Sequence, residues 1–463
     1  MRPNLTLNQT LSDYYRLPDE ALGRVCAAQT SGEMGFFRFG SEAVCYGQCA
    51  SGVSTKVENA GLHDALKSAR RNDSEVHLPF DPTQIVENLR RERYVKNSLP
   101  EQGRILDNAL VRKTYYSIRE LLPVSIRKHL QKLYLSDWRK LPFPNWPVDF
   151  SVDAIHEKLL CLSMEARGIE RVPFIWFWPQ GASNCLIMTH DVETAAGRDF
   201  TPDLMDLDQS YGLKSSFQVI PEKRYEVPDG YVRQIQSRGF EVNVHDLTHD
   251  GQLYQERNTF LERAKKINEY VKKFDARGFR AGVMYRNLDW YDAYEFSYDM
   301  SVPNVAHLEP QRGGCCTVFP YFVGKILEIP LTTCQDYSLF QILNEYSIDL
   351  WKKQLELIRR RNGLMSFITH PDYLISSAAR KVYESLLEYL GQMVGRGQIW
   401  VALPREVDQW WRARGRMKLV RKGEHWEIQG PESERAQIAY AVLKDGRLTY
   451  EVAGCAAEEG VHS

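Results

Sequence analysis

Between residues 184 and 403 short apolar runs alternate with amphipathic stretches, and this alternation limits the fold more than any other property of the 463-residue chain. Strand-like runs occur at Cys185–Thr189, Ser215–Ile220, Phe240–Val244, Gly278–Val283, Phe296–Met300, Ile326–Pro330, Leu364–Thr369 and Ile399–Leu403. Helical patterns separate several of them; the clearest sets Phe260, Ala264, Ile267, Tyr270, Val271 and Phe274 at spacings of three and four. Further helical patterns cover Leu350–Arg361 and Ala378–Val394. Repeated strand–helix units imply an α/β fold with a parallel sheet, either a barrel or a doubly wound sheet. The number and spread of the strands favour a deformed (β/α) barrel of about seven to eight strands.

A barrel absorbs about 250 residues, so this chain needs further parts. Residues 1–170 read as a mainly helical N-terminal region. Helical patterns there follow the turn Leu78-Pro79-Phe80-Asp81-Pro82 as far as Tyr94, and recur over Tyr115–Leu135 and Val152–Ala166. Pro142, Pro144, Trp146 and Pro147 mark an extended connector. The barrel is expected over 171–414, with Trp410-Trp411 closing its last helix. Over 415–463 the runs Met417–Val420, Trp426–Ile428 and Leu448–Val452 alternate around glycine turns, which predicts a small β-rich C-terminal module.

Charge and cysteine usage narrow the class. Lys and Arg number 59 against 60 Asp and Glu, for a net charge of −1, which argues against a nucleic-acid binder driven by phosphate neutralisation. None of the nine cysteines lies in a CxxC arrangement, which fits reduced thiols. No stretch approaches the roughly 20 apolar residues that cross a bilayer, so no transmembrane segment is expected. The opening residues, Met-Arg-Pro-Asn-Leu-Thr-Leu-Asn-Gln, lack the apolar core of a signal peptide, which leads to an expectation of a cytoplasmic protein.

Chemistry concentrates where the predicted strands end, as it does in barrels of this kind. The first strand runs into Thr189-His190-Asp191-Val192-Glu193. Asp191 and Glu193 are two residues apart, so extended backbone points both carboxylates the same way. The third strand ends at His245, followed by Asp246-Leu247-Thr248-His249. Two histidines four apart can face one point if the strand turns into helix. Neutral imidazoles beside a carboxylate make an open three-ligand site for zinc or a related divalent ion. Arg280 ends the fourth strand, Asp299 lies in the fifth and His370 follows the seventh. Each residue alone has an ordinary structural reading, as salt bridge, cap or half-buried histidine. Five strand ends that all finish on titratable groups point jointly to a functional site. Arg286, Asn287 and Trp290 follow the Arg280 strand, where polar groups beside an aromatic suit sugar recognition; a loop anchored on Trp290 is an equal reading. Gly313-Gly314 and Thr332-Thr333 read as tight loops on the same rim.

In this order, Thr-His-Asp-Val-Glu, His-x3-His, Phe-Arg, Tyr-Asp-x-Ser and His-Pro resemble the polysaccharide deacetylase family (carbohydrate esterase family 4), over about residues 172 to 412. The resemblance implies a deformed α/β barrel that holds a divalent metal, Zn2+ first among them, on one carboxylate and two histidines. It implies a hydrolase of non-peptide C–N bonds that removes acetyl groups from an N-acetylated sugar or glycan precursor. Two motifs depart from the family's pattern. The usual Thr-Phe-Asp-Asp-Gly is here Thr189-His190-Asp191-Val192-Glu193, and Arg280 is followed by Ala281-Gly282 in place of prolines. By that match Asp191 is the base and Glu193, His245 and His249 hold the metal, with Asp191 on the metal as the alternative. His370 is the acid, Arg280 holds Asp191, and Asp299 or Asp372 orients His370. Two other readings stay open: a metal-dependent amidohydrolase acting on a small non-sugar amide, and a catalytically silent carbohydrate-binding barrel.

Overall fold

The computed structural model describes residues 7–18, 21–28, 32–57, 61–72, 75–95 and 132–453. They fall into two compact units, each discontinuous in sequence, where three consecutive segments were expected. One unit takes Met1–Asn97, Phe150–Ser183 and Gln409–Ser463; the other takes Ser98–Asp149 and Asn184–Asp408.

The second unit is organised on one sheet of nine strands. Its pivot, Asn184–Val192, is buried at all nine positions, as expected of an apolar strand covered on both faces. It pairs in parallel with Leu364–Thr369 along one edge. Residues of the pivot that face this partner also pair with Ile399–Val401 near its start and with Ser216–Val219 near its end, so those two strands share the opposite edge. The ladder continues in parallel through Glu241–His245, Gly278–Arg280, Tyr298–Asp299 and Ile326–Glu328. It ends on the antiparallel strand Tyr321–Val323. All eight expected strands are present, several of them shorter than their apolar runs.

The two ends of this sheet are joined by side chains. Thr332 and Thr333 each donate a hydroxyl hydrogen bond of 2.7 Å, to the carbonyls of Leu364 and Ser366. The Thr332 hydroxyl also accepts from the Ser366 N–H at 2.9 Å, and Leu364 N–H donates to the Val318 carbonyl at 2.9 Å. These threonines therefore satisfy the free edge of Leu364–Thr369 and curl the sheet into a deformed barrel, rather than forming the tight loops read from sequence.

Helices cover the sheet. Arg257–Lys273 buries Phe260, Ala264, Ile267 and Val271 of the predicted stripe, with Phe274 buried just after it and Tyr270 half-exposed. A large apolar side chain so buried contributes about 1.5–3 kcal/mol. Ala195–Ser210 begins two residues after Glu193, capped by the intervening Thr194, whose hydroxyl accepts from the Gly197 N–H at 3.1 Å.

The first unit holds the helices Leu7–Tyr15, Pro82–Arg90 and Ser151–Arg167, and also five short strands that the mainly helical reading of residues 1–170 did not include. Gly35–Phe39 and Ala43–Gly47 form a hairpin, while Glu75–Leu78 lies between Arg24–Ala27 and Arg70–Asn72. Strands of three to five residues with a distant partner carry too little alternation to be read locally. The expected tail strands are present, but they are not a self-contained module. Ile438–Lys444 pairs on one side with Arg447–Val452 and on the other with Arg171–Ile175. Trp410 is fully buried with its Nε1 donating to the Phe177 carbonyl at 2.8 Å, and Trp411 packs on Trp178. Most of the helical pattern expected over Tyr115–Leu135 lies outside the described residues. Among the described residues every cysteine is a free thiol, and no helix is long and apolar enough to cross a membrane.

Candidate active site

The end of the pivot strand sorts its side chains by alternation. Thr189 and Asp191 point one way and His190 the other. His190 is fully buried, with its ring nitrogens 2.8 Å from the Thr369 hydroxyl and from Asp208, which also accepts from Ser215 and Tyr383. It is spent on this network and is not a ligand. On the other side the fully buried Arg280 donates to Asp191 Oδ1 at 2.5 Å, to the Thr189 hydroxyl at 2.9 Å and to the Met300 carbonyl at 3.0 Å. The guanidinium is thus held from three sides with Asp191 on its end.

His245 and His249 converge without a helix. After His245 the chain bends through Asp246 at φ 55° and His249 at φ 53°, both left-handed, and the two rings stand 4.8 Å apart. Sparsely populated backbone of this kind persists where the surroundings over-determine it. Gly282 is part of that support. A Cβ at this position would lie 2.8 Å from His249 Cδ2 and 2.6 Å from Asp246 Oδ2.

His245 is held at one ring nitrogen and open at the other. Its Nδ1 lies 3.1 Å from the Arg280 carbonyl, which can only accept, so Nδ1 donates there. Its Nε2 is buried with no hydrogen-bond partner. It faces Asp191 Oδ2 at 3.7 Å and Glu193 Oε1 at 3.8 Å. His249 Nε2 is 2.9 Å from the same Glu193 oxygen. The donor atoms of Glu193, His245 and His249 all lie within 4.8 Å of one another. A buried ring nitrogen with no hydrogen-bond partner, set among carboxylates, is placed to ligate a cation, and one carboxylate with two imidazoles is a set that suits zinc. These three residues therefore fit a divalent cation, with Asp191 beside them.

His370 completes the arrangement from the opposite side. Its Nε2 is 3.6 Å from Glu193 Oε1, and its Nδ1 is 2.6 Å from Asp336 Oδ1. Asp336 Oδ2 also accepts from the His370 backbone N–H at 2.7 Å. Burial opposes charge on His370, but Asp336, helped by Glu193, outweighs it and raises the imidazole well above its ordinary value. Burial likewise raises the Asp191 carboxyl, and Arg280 with His245 and His370 more than offsets this, so Asp191 stays below the usual carboxylate value. Glu193 is held down by His249 against the same burial.

Several expected roles shift. The residue that orients His370 is Asp336, which the sequence reading missed, rather than Asp299 or Asp372. Asp299 instead accepts from the Tyr291 hydroxyl at 2.7 Å and from the Ser301 N–H and hydroxyl at 2.9 and 2.8 Å. It also stands in register with Glu328. Burial raises the carboxyls of both Asp299 and Asp372, the latter to about 6. The proposed substrate contacts are engaged elsewhere. Asn287 caps the short helix Leu288–Ala293, and buried Arg286 donates to the Met284 carbonyl at 2.7 Å. Trp290 packs on Phe260 at 5.0 Å, with the Arg257 guanidinium over its ring. It anchors the loop, because the aromatic face of helix Arg257–Lys273 needs a cover. One signal did mark Asp336: it is an acid shortly after the strand Ile326–Glu328, like the other strand-end groups.

No family model matches the chain, and no curated protein matches it. Among solved structures it is similar to a protein from Mycobacterium smegmatis described as a polysaccharide deacetylase, at 17% identity, covering 51% of this chain and 93% of that one, with a TM-score of 0.42. It is also similar to a Puue allantoinase, at 12% identity, 51% and 92% coverage and a TM-score of 0.41. A third, from Pseudomonas aeruginosa PAO1 and described as a polysaccharide deacetylase, has 13% identity, 51% and 93% coverage and a TM-score of 0.40. Polysaccharide deacetylases are therefore among the solved structures this chain is similar to. What the site can do chemically follows from its own side chains.

Proposed function

We propose that this chain is a metal-dependent hydrolase that removes an acyl group, acetyl foremost, from the amide nitrogen of an N-acetylated sugar. One observation carries the reading: Glu193, His245 and His249 converge between a carboxylate clamped by arginine and an imidazole backed by a second carboxylate. The choice of an acylated sugar rests on the motif resemblance. Glu193, His245 and His249 would hold the cation, which supplies positive charge that polarises an acyl carbonyl and makes water more acidic.

The remaining chemistry belongs to the side chains. Arg280 keeps Asp191 ionised and fixed, so that it can take a proton from the attacking water as a general base. His370, charged by virtue of Asp336, donates a proton to the departing amine, which is otherwise a poor leaving group. Asp191 and His370 approach the cluster through different strand ends, which matches proton removal and proton delivery at separate atoms of one substrate. The test is acetate release from N-acetylglucosamine oligomers by the zinc-loaded protein, by the chelator-stripped protein and by Asp191→Asn. The reading predicts turnover only with metal, and a loss of about 10²–10⁴-fold in the variant, the range of general-base contributions. Hydrolysis of a small non-sugar amide alone would overturn the sugar assignment. Metal binding without turnover on any acylated substrate would overturn the enzyme.

A further inference from the structure

We propose that Cys26, Glu75 and His77, in the first unit, form a second metal site for a thiophilic divalent cation such as Zn2+. The strands Arg24–Ala27 and Glu75–Leu78 pair in parallel, with Cys26 opposite His77. Neighbours across a parallel ladder point to the same face, and residues two apart along a strand do so as well. Val76 and Leu78 are buried while Glu75 and His77 are half-exposed, so all three candidate ligands stand on the solvent face of this small sheet. Their donor atoms lie within 4.8 Å of one another, and His77 Nε2 is 3.2 Å from Glu75 Oε2.

A tetrahedral zinc with bonds of about 2.0–2.3 Å needs its donors about 3.3–3.8 Å apart, which small side-chain rotations reach from this arrangement. Arg24 stands 3.9 Å from the other Glu75 oxygen, Oε1, and so leaves Oε2 turned toward the histidine. Beside His77 a cleft of about 340 Å³, lined by Ala27, Ser51 and Arg70 among others, gives room for a solvent ligand. The plainer reading is an exposed Glu75–His77 ion pair, worth about 0–1 kcal/mol. That pair gives no part to a thiol, whereas sulfur, nitrogen and oxygen donors on one face are the mixed set zinc accepts. Binding exchanges the Cys26 thiol proton for the cation, with the proton released to solvent and no change of oxidation state. The ion would tie together two strands whose ligands lie 49 and 51 residues apart in the chain, counting from Cys26 to Glu75 and to His77.

Cobalt and zinc loading of the 463-residue chain tests this site separately from the other, which contains no cysteine. The proposal predicts a thiolate-to-cobalt charge-transfer absorption in the wild type. That absorption disappears in Cys26→Ser, weakens in His77→Gln and persists in His245→Ala. Zinc retained after dialysis falls by one equivalent in Cys26→Ser, with circular dichroism unchanged. Absence of the thiolate band, its survival in folded Cys26→Ser, or unchanged zinc content in that variant would each overturn the proposal.

Discussion

Replacing Asp336 with asparagine removes charge from the side chain that governs His370 while keeping its shape. The carboxylate accepts from His370 Nδ1 at 2.6 Å through Oδ1 and from the His370 backbone N–H at 2.7 Å through Oδ2. Oδ1 also accepts from the Tyr337 N–H at 2.7 Å. Asparagine offers one acceptor oxygen, so one of these donors must face an amide NH2. A hydrogen bond to a charged group contributes about 1.5–3 kcal/mol, and a buried donor left unmet costs about 1–3 kcal/mol. Without the charged partner His370 is no longer held protonated ahead of the transfer, and with the ring partly misplaced the overall barrier rises by about 3–4 kcal/mol. At about 1.4 kcal/mol per decade, kcat falls roughly 10²–10³-fold. The assay is acetate release under saturating substrate, with zinc content measured on the same samples. Asp336 touches none of the three cluster residues in any hydrogen bond described above, so metal retention is expected to match wild type. A fall in kcat of less than fivefold, or loss of metal in step with activity, would refute the role given to the Asp336–His370 pair.

Other outcomes follow from the same geometry. Gly282→Ala places a methyl group against His249 and Asp246 at contact distances real side chains do not tolerate. Zinc affinity, measured by competition with a chromophoric chelator, is expected to drop by about tenfold or more, equivalent to about 1.4 kcal/mol, while the sheet stays intact. Burial pushes the Glu241 carboxyl up to about 7, with the Tyr298 hydroxyl 2.5 Å away. Because its folded value lies above the unfolded one, its stabilising contribution is complete below the unfolded pKa and is lost as pH rises through about 7. That rise in pKa corresponds to about 3 kcal/mol. Glu241→Gln is therefore expected to flatten the decline in urea midpoint between pH 5 and pH 8; an unchanged decline would contradict this assignment.

Much of the barrel and most of the site could be read from the chain because both rest on local patterns. An apolar run that ends in Asp191 and Glu193 announces a buried strand and two carboxylates on one side, and the structure has both. His-x3-His is visible as spacing, but its means of convergence is not. Asp246 and His249 take left-handed backbone, their side chains pack against Gly282 more than thirty residues away, and a helix is the simpler local inference. Asp336 escaped for the same reason. It opens a short helical stretch, 34 residues before the histidine it serves, and no periodicity links them. Arg286, Asn287 and Trp290 carry the composition of a sugar subsite, yet a cap, a carbonyl contact and an aromatic cluster use them first. The first unit was hardest to read. Its strands are short, and Arg171–Ile175 finds its partner Ile438–Lys444 across more than 260 residues.

Diffraction from crystals grown with zinc, collected across the zinc absorption edge, bears most directly on the account. It predicts an anomalous peak bounded by a Glu193 oxygen and by Nε2 of His245 and His249. Density for zinc elsewhere only, or a Glu193 carboxylate turned out of reach of the two imidazoles, would contradict it.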